Sequence, residues 1–229
     1  MVTAIVLAAG KSTRMGAGTD KAFLNLGSKP VLAWSLLAFE RCQDVDGIIL
    51  AVRKEQRVAA QSVAKMFGIS KIRAIVAGGA KRQDSVANAL AAVDIDTRTV
   101  VVHDGARPCI TPAAISEVVK TARRGGAAII GRRIWDTVKY VERGNNVSRT
   151  EDRSKLWAVQ TPQAFSASLL KKAYAALAAN PRAEATDDAQ AVEMLGDESC
   201  QIKIVESREP NFKITTAEDL QLAAACLKI

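Results

Sequence analysis

The sequence of 229 residues predicts an α/β fold, a doubly wound and mostly parallel sheet with a protruding β-arm. Three observations predict it. Short runs rich in Val and Ile alternate with stretches of helical period, the pattern of right-handed βαβ units. The runs are continuously apolar, which suits strands covered on both faces. One polar stretch, 132–157, breaks the rhythm and alternates about Gly144 and Asn145, a hairpin signal.

Taken in order, 3–7 reads as the first strand, followed by a glycine-rich loop and a helix over 31–41. A strand at 47–52, a helix at 54–67, a strand at 72–76 and a helix at 84–93 continue the alternation. A strand at 99–102 precedes a helix over 112–124, where Thr111 is a ready N-cap and Pro112 fits the first turn. The strand at 127–130 leads into the arm, 132–157. A two-stranded ribbon is marginal alone, so this arm is expected to pack on something, most simply the arm of a second subunit. Helices at 167–179 and 187–195, a strand at 201–205 and a helix over 216–227, capped by Thr215 or Thr216, complete a single domain, 1–229. Ligands of such sheets bind where the loops gather at the carboxyl ends of the strands.

The net charge of +8 favours anionic partners. Its cations are scattered, and ten aromatic residues are too few for a base-stacking platform, so a small polyanion fits better than nucleic acid. Cys42, Cys109, Cys200 and Cys226 form no C-x-x-C pair, and a lone His103 excludes a histidine-rich metal site. The opening MVTAIVLAAG has no basic n-region and is too short to span a membrane, so the cytoplasm is the expected compartment.

The loop LAAGKSTRMGAGTDK, residues 7–21, carries Arg14 and Lys21 on flexible backbone directly after a buried strand. Backbone N–H groups there approach phosphates closely, and two cations neutralise charge that builds up on phosphorus. Gly10-Lys11-Ser12-Thr13 imitates the end of a Walker A motif, but the first glycine that motif requires is replaced by Ile5, inside the strand. A dinucleotide fingerprint fails for want of G-x-G-x-x-G. Further candidates follow later strands. Gly78–Ser85 opens a helix, where free N–H groups meet anions or base edges. In His103-Asp104-Gly105-Ala106-Arg107-Pro108 the carboxylate suits a ribose hydroxyl or a hydrated Mg²⁺, and the arginine suits a phosphate. Thr161-Pro162-Gln163, Thr186-Asp187-Asp188 and Asn211-Phe212-Lys213 are weaker signals, and Thr186 also reads as a helix cap.

Together these motifs resemble the 2-C-methyl-D-erythritol 4-phosphate cytidylyltransferase family. The likeness runs in order from Leu7-Ala8-Ala9-Gly10 through V-H-D-G-A-R-P at 102–108, D-T-V-K at 136–139, D-R-x-x-L-W at 152–157 and Q-T-P-Q-x-F at 160–165 to Asn211-Phe212-Lys213. It implies a Rossmann-like, nucleotide-diphospho-sugar transferase-like fold and a homodimer joined through the arm. It implies that Ala8, Ala9, Gly10, Ser12, Gly79, Ala80, Ser85, Asp104 and Ala106 hold CTP, with Asp104 near a hydrated Mg²⁺. Arg14, Lys21, Arg153 and Lys213 would be the catalytic set. Arg107, Thr137, Arg153, Thr161, Thr186 and Lys213 would hold the polyol phosphate, Thr137 and Arg153 reaching the neighbour's site. No nucleic acid or membrane is expected as a partner.

Two positions depart from the family pattern. Ser12 stands where glycine is frequent, and Asp20 stands where proline often precedes the lysine. Asp20 places a negative charge beside Lys21 and gives up a fixed φ. The reaction expected is in-line attack of a phosphate oxygen on the α-phosphorus of CTP, which needs cations and no general base. A cytidylyltransferase for another polyol phosphate, such as ribitol 5-phosphate, would share the CTP loop. A non-catalytic nucleotide or nucleic-acid binder would release no pyrophosphate.

Overall fold

The computed structural model describes residues 1–10, 20–180, 182–197 and 200–229. Strand β1 (Val2–Ala8) comes first; a 3-10 turn at Lys21–Phe23 and a short ribbon of β2 (Asn25–Leu26) and β3 (Lys29–Pro30) lead into α1 (Val31–Arg41). β4 (Gly47–Val52), α2 (Arg57–Met66), β5 (Ile72–Ala77) and α3 (Arg82–Leu90) follow, then β6 (Thr99–Asp104), α4 (Pro112–Gly125) and β7 (Ala127–Arg133). The arm carries β8 (Lys139–Val141) and β9 (Val147–Thr150). After it come β10 (Trp157–Ser166), α5 (Ala167–Ala179), α6 (Asp188–Glu193), β11 (Lys203–Glu206) and α7 (Ala217–Leu227).

Seven strands form one sheet in the order β5-β4-β1-β6-β10-β7-β11. Every pairing is parallel except those of β10, which runs antiparallel to both β6 and β7. Side chains of β1 alternate between two cores. Ala4 and Val6 pack with Leu36, Val63 and Val118 from α1, α2 and α4. Ile5 and Leu7 face Val86, Leu170 and Val192 from α3, α5 and α6. Both faces of the sheet are therefore covered, which is why its strands read as unbroken apolar runs. A third cluster of Leu26, Val31, Cys109, Ile214 and Ala223 docks α7 beside the ribbon. Thr111 caps α4 by accepting the Ala114 N–H at 3.3 Å, and Gly126, at φ +86°, ends that helix.

Three details differ from the expectations. β10 was not anticipated. It carries Pro162 at a register shift between Val159 and Gln163, where the missing N–H costs no ladder bond. Residues 54–67 split into a 3-10 turn and α2. The N-cap of α6 is Asp187, which accepts the Gln190 N–H at 2.8 Å, and not Thr186. The arm does form a hairpin, with a bulge between Tyr140 and Val141 and with Arg149 stacked 4.1 Å over Tyr140. Both of its strands are exposed along their length. Among the described residues no helix is long and apolar enough to cross a membrane.

Candidate active site

A cleft of about 530 Å³ opens over the carboxyl ends of β1, β4, β5 and β6. One wall is the end of β1, Leu7 to Gly10, and the opposite wall is the turn from β5 into α3, Gly78 to Lys81. The walls meet because Gly78 has no side chain: a Cβ there would lie 2.2 Å from Ala9 Cβ. A Cβ on Gly79 would meet Asp84 at the same distance. Ser85 organises this turn from below, its Oγ accepting the Gly79 N–H at 3.0 Å and donating to the Lys81 carbonyl at 3.2 Å.

Asp104 ends β6 on the cleft floor. Its Oδ2 lies 3.0 Å from Lys213 Nζ and 3.6 Å from Arg107 Nε, and its Oδ1 lies 3.3 Å from Arg82 Nε. Burial pushes this carboxyl up, but Lys213, Arg82 and Arg107 outweigh burial and hold it well below the usual carboxylate range. Asp104 is therefore always ionised at neutral pH. Arg82 reaches further, donating at 2.7 Å to Asp188, a carboxylate with no exposed surface that also accepts the Tyr174 hydroxyl at 2.6 Å.

Behind Asp104 the backbone is tied down by three elements. Thr161 Oγ1 accepts the Asp104 N–H at 3.0 Å and shares a hydrogen bond of 3.1 Å with His103 Nδ1. Asn211 donates to the Thr161 carbonyl at 2.8 Å, and Arg107 donates to the Asn211 carbonyl at 2.7 Å. Ile214 N–H then bonds the Ala106 carbonyl at 2.8 Å, and Lys21 Nζ bonds the Ile214 carbonyl at 2.8 Å. Burial pushes the His103 imidazole down to about 3, so it is neutral and structural.

The residues singled out in the sequence fall into three groups. Ala8, Ala9, Gly10, Lys21, Gly79, Ala80, Ser85, Asp104, Ala106 and Lys213 converge on the cleft. Arg107 and Thr161 stand behind it, and Thr186 is exposed with its hydroxyl on Gln190 at 2.9 Å. Thr137 and Arg153 belong to the arm, where Arg153 bonds the Trp135 carbonyl. Ser12 and Arg14 lie outside the described residues. Sequence reasoning missed Arg53, and it gave no site role to Arg82, Asp188, Gln163 and Asn211, although each lies in a motif that it singled out. Arg82 was the most findable, since it opens a helix directly after a strand end.

Among the described residues no cluster of three His, Cys, Asp or Glu side chains could hold a metal. One ionised floor carboxylate, Asp104, fits a cation that keeps most of its ligands as water and phosphate oxygens, as Mg²⁺ does. The cleft is lined by Lys21, Arg53, Lys54, Lys81, Arg82 and Lys213 against Asp20, Glu55 and Asp104. Among the described residues the Ser85 hydroxyl is engaged in the turn and His103 is buried, and the lining cations equip the cleft to steady charge on phosphates. Site and fold together define a nucleotidyltransferase.

The family is specific. The family model for 2-C-methyl-D-erythritol 4-phosphate cytidylyltransferase matches residues 2–229, and the chain belongs to that family. Proteins of that name from Desulforamulus reducens and Pelotomaculum thermopropionicum are 42% and 44% identical over 228 residues; each match covers 99% of this chain, and 96% and 94% of the relatives. The crystal structure of 4-diphosphocytidyl-2C-methyl-D-erythritol synthase from Anaerococcus prevotii superposes with a TM-score of 0.88 at 30% identity, covering 100% of this chain and 96% of that one. The Thermus thermophilus cytidylyltransferase gives 0.79 at 33% identity, covering 98% of each chain.

Proposed function

We propose that this chain joins CTP to 2-C-methyl-D-erythritol 4-phosphate, releasing pyrophosphate and 4-diphosphocytidyl-2-C-methyl-D-erythritol, a step toward isoprenoid precursors. The observation that carries the reading is the meeting of Lys21, from the end of the glycine-rich loop, with the segment bearing Lys213, over the ionised Asp104. The family supplies the substrates.

CTP lies along Ala8, Ala9, Gly10 and Ser12, its base against Gly79, Ala80 and Ser85 and its ribose toward Asp104 and Ala106. A phosphate oxygen of the polyol phosphate forms a new bond to the α-phosphorus, and the bond to the β-bridging oxygen breaks. Such a nucleophile is already anionic, so no general base is needed. Arg14 and Lys21 steady the charge on the α-phosphoryl group, while Lys213 and Arg153, helped by Arg107, Thr137, Thr161 and Thr186, hold the attacking phosphate in line. Asp104 would hold a hydrated Mg²⁺, which would supply charge neutralisation at the phosphates.

The arm, 132–157, serves as the dimerisation element of this one-domain chain and brings Thr137 and Arg153 to the partner's cleft. Trp135, 71% exposed, and Val147, 59% exposed, support that reading, since they place apolar surface on an isolated ribbon. Four unpaired cysteines suit the cytoplasm. The test is pyrophosphate release by pure protein with CTP and either 2-C-methyl-D-erythritol 4-phosphate or ribitol 5-phosphate. Release with the first substrate is expected. Preference for the second would replace the substrate, and binding of CTP without release would replace the activity.

A further inference from the structure

Asp20, the acid beside Lys21, has a partner that the sequence did not suggest. Its carboxylate lies at the cleft rim yet is only 6% exposed. Arg53, directly after β4, donates to Asp20 Oδ2 from Nε at 3.2 Å and from Nη2 at 2.8 Å. Asp20 Oδ1 accepts the Ala22 N–H at 3.2 Å and so caps the turn that carries Lys21. Glu55 also lies 3.5 Å from Arg53, but it is well exposed and adds little. A carboxylate this buried persists only when paired. The pair therefore fixes where the backbone leaves the glycine-rich loop, one residue before the lysine that docks on Ile214.

We propose that Arg53 is a positioning residue for cytidylyl transfer. Through Asp20 it sets the turn that aims Lys21, and it keeps the acid's charge from engaging the Lys21 ammonium or repelling the triphosphate. This rests on the role given to Lys21 above.

Steady-state kinetics of the full chain with CTP and the polyol phosphate test it, with circular dichroism melts to verify folding. Arg53→Gln strands the buried acid and is expected to lower kcat about tenfold or more, with KM for CTP moving less than about threefold, since small misplacements of a catalytic group cost rate. Adding Asp20→Asn removes the stranded charge and is expected to restore most of that kcat. Arg53→Gln is expected to add almost nothing to Lys21→Ala, because residues acting as a unit are non-additive. Arg53→Lys keeps the charge, loses the fork and should fall between; it carries the test alone if Arg53→Gln does not fold. A raised KM at normal kcat would make Arg53 a phosphate contact and overturn the proposal. So would a double variant as slow as Arg53→Gln. A normal kcat in Lys21→Ala would instead remove Lys21 from the mechanism, a separate failure.

Discussion

Asp104 holds three cations on one carboxylate, and that arrangement sets what single residues do here. Lys213, Arg82 and Arg107 all lie within 3.6 Å of its oxygens, and among the described residues only Asp188 behind Arg82 adds a second carboxylate, so the floor keeps a net positive charge before any ligand arrives. Lys21 donates to the Ile214 carbonyl at 2.8 Å, and if it acts as proposed its removal should tell most directly on the chemical step. Lys21→Ala is expected to cut kcat by about a hundredfold or more with a much smaller change in CTP affinity, as for other preorganised donors, measured by steady-state pyrophosphate release and CTP titration. His103 makes a different prediction. It is the chain's only histidine, and its folded value of about 3 lies far below the ordinary 6.5. The unfolded chain therefore takes up a proton that the folded one refuses. Stability from this group is complete above about pH 6.5 and should decline by up to about 1.4 kcal/mol per pH unit as pH falls toward 3. Asp104, also depressed, adds its own loss only below the unfolded aspartate value near 3.8. Urea denaturation at pH 7 and pH 5 should show the slope, and His103→Asn should flatten it.

At the scale of elements, strand periodicity was legible wherever a strand is parallel and buried, as in β1, β4 and β6. It failed at β10. That strand contains Pro162 together with Gln160, Thr161 and Gln163, polar residues buried to hydrogen-bond distant parts of the chain rather than to pack. Gln163 is 1% exposed: its Oε1 accepts the Asp188 and Ala189 N–H groups, at 3.1 and 3.0 Å, and its Nε2 donates to Asp187 at 2.8 Å. It thus holds the start of α6, whose Asp188 in turn holds Arg82 against Asp104. No local pattern encodes such a chain of contacts, because each partner comes from a distant stretch of sequence. Gln163→Leu keeps the volume and strands those groups. It should cost about 2–3 kcal/mol in urea denaturation, the scale for buried polar groups left unsatisfied, and should weaken CTP binding as Arg82 loses its anchor.

For the whole molecule, the cleft residues of one chain were largely legible because loops after parallel strands gather at one edge. Thr137 and Arg153 were nameable from resemblance alone, since their own chain leaves them on an exposed arm. If they serve a partner, mixing inactive Lys21→Ala and Arg153→Ala chains and letting them exchange subunits should restore about a quarter of wild-type activity. Half of the dimers are then mixed, and each mixed dimer owns one intact site. Activity no greater than that of the two variants alone would place Arg153 in its own chain's cleft. If the arm is the dimer contact as proposed, sedimentation should find the intact chain as a dimer and a chain with the arm tip shortened between β8 and Trp157 as a monomer.

The bond from Lys21 to the Ile214 carbonyl joins residues 193 apart, and it has a consequence for the life of the chain. A nascent polypeptide can pair β1 with β4 and β6 and shape the cleft walls while its last stretch is still being made. The lysine finds its seat only when the strand of chain around Ile214 arrives and closes on Ala106. A contact of such span carries a large loop-closure cost. If Lys21 acts as proposed, a chain truncated before Ile214 should bind CTP without releasing pyrophosphate.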